Sequence, residues 1–336
     1  MNKITRRSMI KKTGMTSLAL TIPFPLTLFS KENDMTRNKI YDVIIIGGSY
    51  AGLSAAMALG RSLRNVLVID SGKTCNAQTP HSHNFITQDG IKPSVIAKKA
   101  KEDVLQYNTV EFLNDLVIDG KKAQNNFEIS TEKGEQIKGK KLIFATGIKD
   151  LMPDIKGFSD CWGISVIHCP YCHGYEFKGQ KTGIMANGDT AFHIASLVNN
   201  LTNDLTIFTN GKNNFNIEQT DKLKKNNIKI IESQIIEVEH DNGNIQKIAL
   251  ENGKKMTFNA MYAAIPFKQH SELPITLGCE TTEQGYIEVD NFQKTSIEGV
   301  FACGDNSTMM RSVANAVANG NIAGAMANME LIHNEF

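Results

Sequence analysis

Tyr41-Asp42-Val43-Ile44-Ile45-Ile46-Gly47-Gly48-Ser49-Tyr50-Ala51-Gly52 is the stretch on which the fold turns. Its first six residues form a β-branched run, the pattern of a strand buried on both faces of a parallel sheet. The glycines end the strand abruptly, and Leu53-Ser54-Ala55-Ala56-Met57-Ala58-Leu59 continues as a helix. Strand, glycine turn and helix in that order make half of a dinucleotide site. Gly47 permits the sharp turn, and Gly52 lets the helix pack closely on the strand. Ser49 stands where a glycine would let a pyrophosphate approach the backbone, and it is the smallest polar replacement. With Tyr50 and Ala51 these residues surround a helix N-terminus, whose free N–H groups favour phosphate. A second strand over 65–69 ends at Asp70, an acid placed to accept from a ribose hydroxyl.

Two distant segments extend this unit. Lys141-Leu142-Ile143-Phe144-Ala145-Thr146-Gly147 reads as a buried strand with a glycine exit, and Gly299-Val300-Phe301-Ala302-Cys303-Gly304-Asp305 as a short strand ending in Gly-Asp. Arg311-Ser312-Val313 then opens a long small-residue helix from Ala314 to about Met329. Tyr286-Ile287-Glu288-Val289-Asp290 reads as the strand that begins the return, and Met309 and Met310 read as core residues.

The middle of the chain holds a poorer copy of the same unit. A strand over 181–185 runs into Ala186-Asn187-Gly188-Asp189-Thr190-Ala191, where Ala186 replaces the first glycine. After a helix over 192–200 and a strand over 205–209 comes Asn210-Gly211-Lys212-Asn213-Asn214, with one lysine and no arginine. A lysine point charge cannot supply the two parallel bonds of a guanidinium on phosphate. The fold of this unit is expected to persist while NAD(P)H binding, as NADPH or NADH, is doubtful.

Within that middle region lies His168-Cys169-Pro170-Tyr171-Cys172-His173-Gly174-Tyr175-Glu176. A Cys-x-x-Cys pair at a helix start closes a small disulfide ring, and the helix N-terminus and nearby cations depress its first thiol. Zinc is the alternative, but it needs four ligands and the sequence has no second Cys-x-x-Cys or His-x₃₋₅-His. No metal site is expected. His168 and His173 can exchange protons near neutral pH, and the pair His81 and His83 reads either as loop packing or as catalytic. The other cysteines (75, 161, 279, 303) read as small buried hydrophobes.

Composition narrows the classes further. The 336 residues carry 36 Lys+Arg against 35 Asp+Glu, a balance that gives no reason to expect nucleic acid as partner. Six scattered cysteines do not make a disulfide framework. Thr5-Arg6-Arg7-Ser8-Met9-Ile10-Lys11 precedes an apolar run broken by Pro23 and Pro25, too short and interrupted for a membrane span. It resembles a twin-arginine export signal, so an exported, periplasmic location is expected, with the cytoplasm as the alternative.

From these landmarks the chain resembles the thioredoxin-reductase branch of the FAD-dependent pyridine nucleotide-disulfide oxidoreductases. The matching motifs run in family order: the 47–52 turn, Ala145-Thr146-Gly147, the cysteine pair, and the segment 299–305. His81-Ser82-His83-Asn84-Phe85 and Asp154-Ile155-Lys156-Gly157-Phe158 are similar to one subgroup, which includes flavin-dependent dithiol oxidases. The resemblance implies an α/β fold of two Rossmann-like domains, the second inserted into the first. The tail would be 1–38, the FAD-binding domain 39–153 and 285–336, and the inserted NAD(P)-binding-like domain 154–284. It implies FAD held by Gly47, Ser49, Tyr50, Ala51, Gly52, Asp70, Asn84, Ala145, Thr146, Gly147, Gly304, Asp305, Arg311, Ser312 and Val313. Cys172 would face the flavin and Cys169 the substrate, with His173, where the reductases usually carry aspartate, as acid and base. The expected reaction is oxidation of a dithiol, with oxygen or another acceptor taking the electrons. The alternatives are an NAD(P)H-dependent thioredoxin-disulfide reductase and a non-catalytic flavin redox sensor. The partner would be a small-molecule dithiol or a thioredoxin-like protein, and the resemblance implies a homodimer.

Overall fold

The computed structural model describes residues 39–336; the export-signal reading of residues 1–38 lies outside the described residues. The chain begins with β1 (Ile40–Ile46), α1 (Tyr50–Arg61), β2 (Val66–Asp70), α2 (Pro93–Val104) and β3 (Val110–Asn114). β4 (Val117–Ala123), β5 (Asn126–Thr131) and β6 (Gln136–Phe144) follow as a meander, and β7 (Ile148–Asp150) leaves the first sheet. Next come α3 (Phe158–Cys161), β8 (Val166–Ile167), α4 (Pro170–His173), β9 (Thr182–Met185), α5 (Gly188–Val198), β10 (Leu205–Phe208), α6 (Ile217–Lys225) and β11 (Lys229–Ile231). The antiparallel strands β12 (Ile235–Asp241), β13 (Asn244–Leu250) and β14 (Lys255–Thr257) precede β15 (Ala260–Ala263). β16 (Phe267–Gln269), α7 (Leu273–Thr276), β17 (Val300–Ala302) and α8 (Val313–Glu335) complete the chain.

Two main sheets result, the first parallel except for the β4-β5-β6 meander and the second wholly parallel. In the first, β3, β2, β1 and β6 lie side by side, and β6 pairs β5 along its first half and β17 along its last three residues. The second runs β11-β10-β9-β15-β8, with every pair parallel. β7 and β16, the two crossovers between these sheets, pair antiparallel with Asp150 opposite Phe267. Each sheet is thus a Rossmann-like unit, and the second is inserted between β6 and β17 of the first.

The β-branched run in β1 is explained by burial on both sides. Val43 and Ile45 pack against α1 and α8, whereas Ile44 and Ile46 pack under β4 and β5. The small residues of α8, Ala323 and Ala327, seat it on α1 with no exposure. α8 runs to Glu335, a turn and a half beyond the reading from sequence, because Leu331 still buries against that core.

Three readings need correction. Residues 286–290 form no strand; Ile287 N–H bonds to Asn306 O at 2.8 Å and Glu288 N–H to Glu280 O at 2.9 Å, so the segment is held by loops. Met309 and Met310 are exposed rather than core, because the loop before α8 crosses the surface. Cys75 is exposed, while Cys161, Cys279 and Cys303 are buried as expected.

Candidate active site

The C-terminal ends of β1, β2, β6 and β17 open on one cavity of about 1070 Å³. This is the edge where ligands bind in open α/β sheets, at the point where strand order reverses. Hydrogen bonds hold the four strand exits together. Gly47 N–H donates to Ile69 O at 2.8 Å, Cys303 N–H to Phe144 O at 2.9 Å, and Asn306 Nδ2 to Phe144 O at 2.9 Å. Gly47 sits at φ +107°, in the left-handed region that favours glycine. Asp70 ends β2 and accepts from Gly48 N–H at 3.0 Å and Gly72 N–H at 3.2 Å, which fixes its carboxylate on the cavity wall.

Of the fifteen residues assigned to cofactor binding, Gly47, Ser49, Tyr50, Ala51, Asp70, Ala145, Thr146, Gly147, Gly304, Asp305, Arg311, Ser312 and Val313 line this cavity. Gly52 and Asn84 do not. Gly52 faces the turn, where a Cβ would overlap the Gly47 carbonyl oxygen. Asn84 is exposed at φ +57°, and its backbone N–H donates to Asp89 Oδ1 at 2.8 Å. Ser312 caps α8 by accepting from Asn315 N–H at 3.2 Å.

Cys169 and Cys172 form a disulfide, with Cα atoms 5.3 Å apart. Cys169 is the N-cap of α4, and its Sγ accepts from Cys172 N–H at 3.1 Å. Cys172 lines the cavity, 4.0 Å from Arg311 O, and Cys169 does not. The two sulfurs therefore present different faces, one to the cavity and one away from it. When Cys169 is reduced, the Cys172 N–H at the helix start is available to hold its thiolate.

His168 and His173 also line the cavity. Both ring nitrogens of His173 and Nε2 of His168 are buried without a hydrogen-bond partner among the described residues. Burial pushes His173 below the ordinary histidine value, the His83 charge adds to this, and Glu176 opposes it. Burial pushes His168 down to about 3, aided by the Arg311 charge and opposed by Asp150. Both rings are neutral near pH 7, so His173 is set to accept a proton. His83 contacts Glu176 Oε1 from Nε2 at 3.5 Å and Asp89 Oδ1 from Nδ1 at 3.6 Å; His81 lies 6.4 Å away, ring to ring.

These lowered histidines give the protein an acid-sensitive window. His270, also on the cavity wall, is lowered by burial and by neighbouring lysines. Between the folded and unfolded values the unfolded chain binds more protons, so stability is complete above the ordinary histidine value and falls as pH drops through it. Unfolding free energy should therefore decrease between about pH 7 and about pH 5, by about 2 kcal/mol from His168 alone. Denaturant titration at the two pH values measures this, and His168→Gln should remove much of the difference.

Sequence reasoning missed Asp150 and Trp162. Asp150 takes a two-bond fork from Arg311, at 2.9 and 3.0 Å, and accepts from Trp162 Nε1 at 3.2 Å. No local pattern marks a pair so far apart in the chain. Among the described residues no cluster of His, Cys, Asp and Glu is placed to hold a metal ion, and no helix is long and apolar enough to cross a membrane.

A model of the pyridine nucleotide-disulphide oxidoreductase family matches residues 41–320. The chain belongs to this family. It is 34% identical over 309 residues to a thioredoxin reductase, tcpT, of Claviceps purpurea (strain 20.1), covering 89% of this chain and 96% of that one. An oxidoreductase from Agrobacterium tumefaciens superposes with a TM-score of 0.82 at 34% identity, covering 88% of this chain and 99% of that one. A putative thioredoxin reductase from Bacillus anthracis does so with 0.83 at 30% identity, covering 88% and 100%. The protein is an FAD-dependent oxidoreductase of the thioredoxin-reductase type.

The cavity fits the FAD that membership implies. Its volume matches sites for large ligands. α1 starts at Ser49 with no side-chain cap and no acid in its first turn, which leaves its N–H groups free for a pyrophosphate.

Proposed function

We propose that the protein oxidises dithiols to disulfides through Cys169 and Cys172 and does not draw electrons from a nicotinamide. The contrast between its two dinucleotide turns carries this reading. The turn at α5 keeps its shape, but the Asn187 side chain fills it. Asn187 Oδ1 accepts from Gly188 N–H at 2.8 Å and from Asn214 N–H at 3.0 Å, and Nδ2 donates to Lys212 O at 2.9 Å. Gly188 N–H, the first donor of this helix, and Asn214 N–H, from the loop facing it, are thus bonded within the chain. Asp189 stands in the first turn of α5, where its charge opposes an anion, and Glu232 takes both the backbone and side-chain N–H of Asn213. At the α1 turn Asp70 takes Gly48 N–H, but no side chain caps the helix start and no acid stands in its first turn.

A substrate thiolate attacks Cys169 Sγ, and Cys172 leaves as a thiolate. The second substrate thiol attacks the substrate sulfur of that mixed disulfide, releasing Cys169 and a substrate disulfide. Two electrons and two protons have then left the substrate. His173, neutral and next to Cys172, takes up a proton, and the Cys172 N–H steadies the Cys169 thiolate. FAD supplies the two-electron acceptor that closes the cysteine pair again, with oxygen or another acceptor beyond it. The thirteen cavity-lining residues assigned above would hold it, within a domain made of 39–153 and 285–336. Export by the N-terminal signal fits this reading, since it removes the enzyme from reduced nicotinamide. A homodimer belongs to the same reading by analogy with the family.

The test is anaerobic mixing of the oxidised protein with NADPH, NADH or dithiothreitol. The flavin absorbance should bleach with the dithiol and persist with either nicotinamide. Rapid bleaching by NADPH would instead make the protein an NADPH-dependent thioredoxin reductase.

A further inference from the structure

Asp150 ends β7, the crossover by which the chain leaves the first sheet, and its carboxylate reaches toward both sheets. On one side it holds the guanidinium of Arg311, from the segment between β17 and α8, through two bonds at 2.9 and 3.0 Å. On the other it accepts from Trp162 Nε1, from the segment between α3 and β8, at 3.2 Å. One segment touches the redox pair and the other touches the residue before it. Arg311 O lies 4.0 Å from Cys172 Sγ. The Trp162 ring stacks on Phe158, with centroids 5.9 Å apart, and lies 6.0 Å from the ring of His168, the residue before Cys169.

The returning crossover is pinned in the same way. Gln269 ends β16 and is buried, and its Nε2 donates to Gly285 O at 2.8 Å and to Asn306 O at 2.9 Å. The Asp150 and Arg311 side chains are only 10% and 14% exposed, and Asp305 approaches Arg311 Nε at 3.7 Å. Moving the second sheet relative to the first would pull Trp162 or Arg311 off this carboxylate. Losing Arg311 would leave a charge unpaired away from water, and losing Trp162 would leave its buried indole N–H without a partner, each a cost to opening the interface.

We infer that Asp150 is a positioning residue that pins the segment bearing Cys169 and Cys172 against the cavity, so that Cys172 faces the cofactor site throughout the cycle. This rests on the proposed function in one respect: there the electrons leave the cysteine pair only toward the cofactor site that Cys172 faces. The pin acts through Arg311 and Trp162 and does not itself meet the substrate.

The test reads the two sulfurs separately. The FAD-loaded protein is reduced with dithiothreitol, desalted anaerobically and labelled with a bulky maleimide, and peptide mass spectrometry follows Cys169 and Cys172 in time. In the unaltered protein Cys172 labels slowly and Cys169 fast. In Asp150→Ala and Trp162→Phe, Cys172 labelling should accelerate about tenfold, the factor expected from loss of one charge-assisted hydrogen bond, with Cys169 unchanged. Turnover should show the matching split, with kcat lowered and KM for the dithiol unaltered. Trp162→Phe keeps an aromatic ring against Phe158 while removing the N–H with the rest of the indole's second ring, so it decides the matter if Asp150→Ala fails to fold. Unchanged Cys172 labelling in the folded variants, or equal acceleration at both cysteines, overturns the pin. Labelling needs no turnover, so its outcome stands apart from that of the nicotinamide experiment.

Discussion

Cys172→Ser abolishes turnover with dithiols, while the purified protein keeps its yellow FAD. Cys172 is the member of the redox pair on the cavity wall, and no other described cysteine can stand in for it. Cys161, Cys279 and Cys303 are buried, and burial raises each thiol above the ordinary cysteine value. Cys75 lines the cavity, but it belongs to a different loop from the disulfide ring. Removing one nucleophile from a covalent exchange costs the whole rate advantage of that path, on the order of a thousandfold or more. The binding surface should survive, because serine is close in size and Cys172 makes no strong hydrogen bond to a cavity-lining side chain. The check is peroxide release or acceptor reduction with dithiothreitol, beside the visible spectrum of the same sample. A yellow Cys172→Ser protein with undiminished dithiol oxidation removes the disulfide from the mechanism. Cys169→Ser separates the two roles: it should also be inactive, yet leave one thiol facing the cofactor site.

The sequence shows some parts of this molecule well and others not at all, and the division follows the range of the interactions. The 41–52 turn is legible because strand burial, turn geometry and helix packing all fall within twelve neighbouring residues. The Cys169–Cys172 pair is legible for the same reason. That Ala186 replaces the first glycine of the second turn is legible, but the bonds of Asn187 to Gly188, Asn214 and Lys212 need the loop from 210 to 214 in place. The Asp150–Arg311 fork joins residues 161 positions apart, and an aspartate in a crossover carries no periodic signal. The side chains of Met309 and Met310 taken alone favour the core, yet backbone demands decide their position. Met310 N–H bonds to Thr308 Oγ1 at 3.1 Å and Met310 O accepts from Asn315 Nδ2 at 2.9 Å, so the loop is held on the surface at the start of α8.

Gly52→Ala is the substitution expected to do most damage to the first nucleotide site. The added Cβ would overlap the Gly47 carbonyl oxygen and lie 3.0 Å from its carbonyl carbon and 3.3 Å from Ile45 Cγ2. The first two are backbone atoms of the turn itself, so no side chain can rotate away to make room. Relief requires α1 to withdraw from β1, which also draws the helix N-terminus and the free N–H groups around Ser49 and Tyr50 out of line with the cavity. Overpacking of this kind costs about 3 kcal/mol, and FAD affinity falls with the displaced helix start. The variant should purify pale or colourless and unfold at lower denaturant. Ser49→Gly is the informative contrast in the same turn. The Ser49 side chain caps nothing in α1, so its loss should shift stability by only a few tenths of a kcal/mol and leave FAD bound. A Gly52→Ala protein that is as yellow and as stable as Ser49→Gly would show that the close approach of helix to turn does not govern the site.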